Sequence, residues 1–165
     1  GRNDPVTNLC YLNGMLVAIH EKGSVYMYKI EVDKGTEKWS SSEIHKITQT
    51  HQGSAVCGIA IHPTTELIAL AYVGGHCSLF QTSKQTSPLS IFRESSGVQY
   101  TCVAFHPDGL LLGLGCSDGF VQMWDISELA NVASLDTTSS ENVHALAFSE
   151  NGYYMVVRTA KNTQL

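Results

Sequence analysis

The chain has 165 residues, 43% apolar and 15% charged, with fifteen acidic against ten basic side chains and a net charge of −5. This balance belongs to folded globular chains rather than disordered ones, and its sign disfavours the tracking of nucleic-acid phosphates. No stretch approaches the ~20 apolar residues of a membrane-spanning helix, and the first twenty residues lack a signal-peptide layout.

The five cysteines are Cys10, Cys57, Cys77, Cys102 and Cys116. Their odd number, with no Cys-x-x-Cys pair and no glycosylation sequon, indicates a reducing compartment. All five lie in or beside apolar runs, where a free thiol acts as a small hydrophobe. Structural zinc needs closely spaced ligand pairs, so neither a metal nor another cofactor is expected.

In chain order, short apolar stretches alternate with Gly, Asn, Asp, Ser and Pro, the pattern of antiparallel strands joined by tight turns. The first unit, 1–47, contains YLNGMLVAI from Tyr11 and GSVYMYK from Gly23, then a polar loop from Glu31 to Glu43 that holds Trp39. The second, 48–92, contains IHPTTELIAL from Ile61 and HCSLFQ from His76. The third, 93–136, contains FHPDGLLLGL from Phe105 and GFVQMWD from Gly119. The fourth, 137–165, contains FSENGYYMVV from Phe148. The landmarks at Ile61, Phe105 and Phe148 are 44 and 43 residues apart, and Tyr11 precedes Ile61 by 50. A period of ~40–45 residues with four strands per unit marks a β-propeller blade.

The third unit reads in detail. Tyr100 to Phe105 is its first strand, Leu110 to Cys116 its second, Phe120 to Asp125 its third and Val132 to Leu135 its fourth. Pro107 presets a turn φ, Asp108 caps that turn and Gly109 supplies a positive φ. The segment from Ile126 to Asn131 is expected to form one short helical turn. His62 and His106 share one slot of successive units and are expected to be solvent-facing turn residues.

The run FHPDGLLLGLGCSDGFVQMWD, ending in Trp124-Asp125, resembles the WD40 family, and within it the propellers of spliceosomal U-box ubiquitin ligases. The resemblance implies an all-β WD40 propeller of about seven blades, of which this chain holds about three and a half as part of a longer polypeptide. It further implies a nuclear parent with ligase activity elsewhere in its chain. Its partners would be protein subunits of a splicing or ubiquitin-ligase complex, with no membrane and no directly bound nucleic acid. The parent would be homo-oligomeric through a coiled coil outside this chain. WD40 blades often hold a buried Asp, His, Ser/Thr and Trp tetrad. Asp118, Gly119, Trp124 and Asp125 match family positions, and His51 fills the histidine slot of the second unit, but no unit holds a complete set. Asp118 is expected to lie buried beneath Trp124 and to accept N–H groups of its own turn.

From Glu94 to Val157 there are eight acidic residues and no Lys or Arg, either a solvated face or a dock for a basic partner. The partner-contact candidates are Lys22, Trp39, Gln52, Arg93, Gln99 and Ser117, with Trp39 and Arg93 singled out by residue type. Gly115-Cys116-Ser117-Asp118-Gly119 matches the nucleophile-elbow pattern, with Asp125, Asp136 and His144 downstream. An elbow leads into a helix, whereas FVQMWD alternates as a strand, so no catalytic residue is assigned. The expected role is a non-catalytic scaffold for protein partners. The alternative is an unrelated WD40 adaptor, such as a cullin-ligase substrate receptor or a trafficking scaffold.

Overall fold

The computed structural model describes residues 4–21, 23–47, 54–83, 87–93, 97–160 and 163–164. Every strand pairing in it is antiparallel, and no helix occurs among the described residues. The first blade comprises β1 (Val6–Leu12), β2 (Met15–His20), β3 (Val25–Asp33) and β4 (Lys38–Ile47). The second comprises β5 (Val56–Ile61), β6 (Leu67–Tyr72), β7 (His76–Gln81) and β8 (Ser90–Arg93). The third comprises β9 (Tyr100–Phe105), β10 (Leu111–Cys116), β11 (Phe120–Asp125) and β12 (Ala130–Asp136). The fourth contributes β13 (Val143–Phe148), β14 (Met155–Thr159) and β15 (Thr163–Gln164).

The apolar cores lie between blades, one at each seam. Val17, Ile19 and Met27 of the first blade pack on Ile59, Ile68, Leu70 and Phe80 of the second. Ala69, Ala71, Leu79 and Phe92 of the second pack on Leu112, Leu114 and Trp124 of the third. Val121 and Met123 of the third meet Val143 and Val157 of the fourth. The two-residue side-chain period explains the division, since successive residues of one strand point to opposite faces. On β6, Ile68 and Leu70 turn to the first blade while Ala69 and Ala71 turn to the third. On β10, Leu112 and Leu114 face the second blade, leaving Gly113 and Gly115 on the side where Phe148 and Val143 approach.

Three local expectations need correction. The segment from Glu31 to Glu43 is not a loop: β3 and β4 continue through it as a ribbon, pairing Val32 with Trp39 and Asp33 with Lys38. Alternation of Ile30 and Val32 with polar neighbours supports strand, and Asp33 Oδ1 closes the turn by accepting the Gly35 N–H at 2.8 Å. The expected helical turn from Ile126 is instead a reversal capped by Asp125, whose Oδ1 accepts the N–H of Ser127 at 2.8 Å and of Glu128 at 3.0 Å. Leu129 there has φ 54°, which stops helix propagation. The outer strand of the third blade begins two residues before Val132, at Ala130.

Candidate interaction surfaces at the two ends of the blades

The antiparallel blades have two unlike ends. At the crossover end the chain passes from blade to blade, beside the β2–β3, β6–β7 and β10–β11 turns. At the hairpin end lie the β1–β2, β5–β6, β9–β10 and β13–β14 turns.

At the hairpin end, histidines fasten one blade to the next. His62 Nε2 donates to the Gly109 carbonyl at 3.0 Å, and His106 Nε2 reaches the Gly152 carbonyl at 3.1 Å. The N–H groups of Thr64 and Thr65 donate to His62 Nδ1 at 3.1 and 3.0 Å, which leaves the ring proton on Nε2. Each ring stands edge-on to an aromatic residue of the following blade, His62 to Phe105 and His106 to Phe148. Gly109 has φ 77° and Gly152 φ 75°; a Cβ on either would enter the histidine ring. His62 is 6% exposed and His106 half-buried, so both are seam residues rather than the solvent-facing residues expected. Their shared slot, 44 residues apart and each followed by proline, was the available sequence clue. Beside His106, Asp108 is held below the usual carboxylate range. Desolvation pushes its carboxyl upward, but the Leu110 N–H and the His106 ring outweigh it.

The first seam differs. The two-residue turn Asn13-Gly14 holds φ values of 51° and 78° and carries no histidine. Asn13 Nδ2 donates instead to the Pro63 carbonyl at 2.8 Å. A cavity of about 300 Å³ remains, with Leu12, Met15, Ile61, Thr64, Thr65 and Thr82 among its lining residues.

At the crossover end the turn N–H groups bond within their own blade, while Thr101 Oγ1 donates across the third seam to the Val143 carbonyl. Glu21 N–H donates to the Pro5 carbonyl, Val73 N–H to Ala55 and Ser117 N–H to Gln99, all between 2.9 and 3.0 Å. Thr137 Oγ1 donates to the Gly119 carbonyl at 2.6 Å. A hollow of about 330 Å³ lies here, lined by Asp118, Phe120, Asp136, Thr138, Ser139 and Ser140.

Of the family positions, Trp124 is buried and stacks on Phe92 of the second blade at 4.8 Å. Asp118 is exposed, not buried beneath Trp124 as expected; it accepts the Phe120 N–H at 3.2 Å, the role expected within its own turn. The polar partner inside the third blade is Gln122, which sequence reasoning missed. Its Oε1 accepts from Trp124 Nε1 and from Tyr100 Oη, both at 3.1 Å. A buried amide two residues before the tryptophan, on the same strand face, serves both aromatic donors. Gly119 has φ 89° and ends the β10–β11 turn. Asp125 is a half-buried turn cap: the Ser127 hydroxyl, then the N–H groups of Glu128 and Ser127, hold its carboxyl below the usual range. His51 lies outside the described residues.

Among the contact candidates, the structure brings Arg93, Gln99 and Ser117 to the crossover end, Arg93 and Gln99 exposed and Ser117 half-buried. Gln99 N–H donates to Ser117 Oγ at 3.3 Å. Trp39 is separated from them, 70% exposed on the ribbon at the hairpin end. Lys22 and Gln52 lie outside the described residues. Ser117 leads into β11 rather than a helix, and Asp125 stands at the far end of that strand, ~20 Å away by strand rise. Burial pushes the Cys57 thiol up to about 12.

A protein-family model described as the anaphase-promoting complex subunit 4 WD40 domain matches residues 59–151. Pre-mRNA-processing factor 19 homolog 2 of Arabidopsis thaliana is 35% identical over 118 residues, covering 72% of this chain and 22% of that protein. Pre-mRNA-processing factor 19 of Oryza sativa subsp. japonica is 31% identical over 137 residues, covering 82% and 25%. The chain thus spans about a quarter of the length of these curated relatives. A chain in the solved structure titled "Crystal Structure of Mitotic Checkpoint Complex" superposes with a TM-score of 0.73 at 16% identity, over 95% of this chain and 46% of that one.

Proposed function

Because the chain belongs to the WD40 family, as a partial propeller of the Pre-mRNA-processing factor 19 type, we propose that it is a non-catalytic scaffold for protein partners in pre-mRNA splicing. The observation that carries this reading is the contrast between the blade ends. Seams packed with apolar residues and fastened by His62 and His106 make a rigid frame. That frame leaves the exposed side chains of Arg93 and Gln99 at the opposite end, on loops positioned by the strands. Binding residues concentrate on such loops because a rigid base lowers the ordering cost of contact.

On this reading the parent acts in the nucleus, and its U-box ubiquitin ligase activity and coiled coil reside outside these 165 residues. This segment brings subunits or substrates to that ligase and contacts no nucleic acid or membrane directly. Affinity purification of the tagged full-length protein from nuclear extract, read by mass spectrometry, tests it. Splicing subunits should co-purify with the wild type and fall about tenfold with an Arg93→Glu, Gln99→Arg variant of unchanged thermal midpoint. Recovery of no splicing subunits would overturn the reading; unchanged recovery with the variant would remove the crossover end as the contact surface.

A second reading is a WD40 adaptor of another assembly, a cullin-ligase substrate receptor or a trafficking scaffold. One finding favours it: the matching family model describes a subunit of the anaphase-promoting complex. The same purification separates the two by which assembly is recovered.

A further inference from the structure

Resting on the scaffold reading, we propose that the cavity at the seam of the first and second blades is a docking pocket for an arginine side chain of a partner polypeptide.

The cavity has a local cause. The second and third seams are filled at this level by the rings of His62 and His106. The first blade turns with Asn13-Gly14 and places only a carboxamide there, leaving about 300 Å³.

Its lining selects another chemistry. Leu12, Met15 and Ile61 contribute apolar lining suited to a methylene stem. Thr64, Thr65 and Thr82 also line it, and a threonine hydroxyl can accept a hydrogen bond. Two charged residues, Lys29 and Glu66, also line the cavity. Lys29 is neutralised by Glu31 at 2.6 Å, whereas Glu66 is exposed and has no ion pair among the described residues. A side chain with an apolar stem, several donors and a fixed positive charge matches the apolar residues, the threonines and Glu66 of this lining together. Arginine has that composition, and its planar head can engage a carboxylate and a hydroxyl at once.

Fluorescence anisotropy on the full-length protein tests the assignment, with a fluorescein-labelled Gly-Ala-Arg-Ala-Gly peptide and its norleucine counterpart as probes. The arginine peptide should bind saturably, at least about tenfold tighter than the norleucine peptide. Glu66→Gln should weaken it about tenfold, and so should Thr65→Phe, which fills the pocket from an exposed turn position. Equal affinity for both peptides would overturn the cationic assignment. Unchanged binding by Thr65→Phe would place the peptide elsewhere, and absence of saturable binding would remove the pocket altogether. Each of these outcomes leaves co-purification with splicing subunits untouched, so failure of the pocket is distinct from failure of the scaffold reading.

Discussion

The hairpin end and the crossover end of this molecule use their turn backbones differently. At the hairpin end, the carbonyls of Gly109 and Gly152 accept imidazole donors from the preceding blade, adding bonds between sheets to those that close each turn. At the crossover end, turn N–H groups of Glu21, Val73 and Ser117 bond to the segment entering the same blade. The histidine latches tie neighbours at the hairpin end, whereas at the crossover end the turn bonds stay within a blade, Thr101 Oγ1 to the Val143 carbonyl being a cross-seam bond there, and Arg93 and Gln99 remain exposed. The lesson is that a propeller face can be variable at one end because rigidity is supplied at the other.

The sharpest way to break this contrast is at the second seam. Gly109→Ala should cost about 4 kcal/mol, combining a left-handed φ on a residue with a Cβ and expulsion of the His62 ring. His62→Ala should cost about 3 kcal/mol, since it opens a buried space and removes both the latch to Gly109 and the acceptor of Thr64 and Thr65 N–H. Denaturant unfolding of both single variants and the double should show strong non-additivity, the double costing little more than Gly109→Ala alone. Additive losses would mean that the ring and the glycine stabilise independently.

Inside the third blade, Gln122→Leu should cost about 2 kcal/mol, because Trp124 Nε1–H and Tyr100 Oη–H lose their shared acceptor in a buried site. A near-ultraviolet circular dichroism change should accompany the lowered midpoint. A neutral result would show that the two aromatic donors find water.

At the exposed turns the effects should be small and should invert the order expected when Asp118 is taken as buried. Asp108→Ala should lower stability by less than ~1 kcal/mol, and Asp118→Ala by no more than that. Asp108 accepts the Leu110 N–H at 2.8 Å beside His106, whereas Asp118 accepts one N–H at 3.2 Å. Thermal midpoints of the two variants decide it.

The smallest effect concerns pH. Because the Ser127 hydroxyl and the N–H groups of Glu128 and Ser127 depress the Asp125 carboxyl, its contribution is fully present above the unfolded value of ~4. It is lost as pH falls through the lower folded value. A carboxyl-carbon NMR titration should place the Asp125 midpoint below that of the unfolded chain, and Ser127→Ala should raise it.

Much of the blade could be read from the residues alone, because strand alternation and turn chemistry are local. Tyr100–Phe105 and Phe120–Asp125 are strands with the bounds expected, and Asp118 caps its own turn. Local chemistry also determined that Ser117 leads into a strand, since the residues after it alternate. Contacts across seams were decided only by tertiary structure. His62 and Gly109 are 47 residues apart in the chain, and nothing in either turn shows that one ring fits where the other has no Cβ. Likewise Gln122 becomes the acceptor of Trp124 only once packing against Phe92 removes both from water. Periodicity determines which face of a strand is apolar, but the polar groups that close a seam depend on which turns the ring brings together.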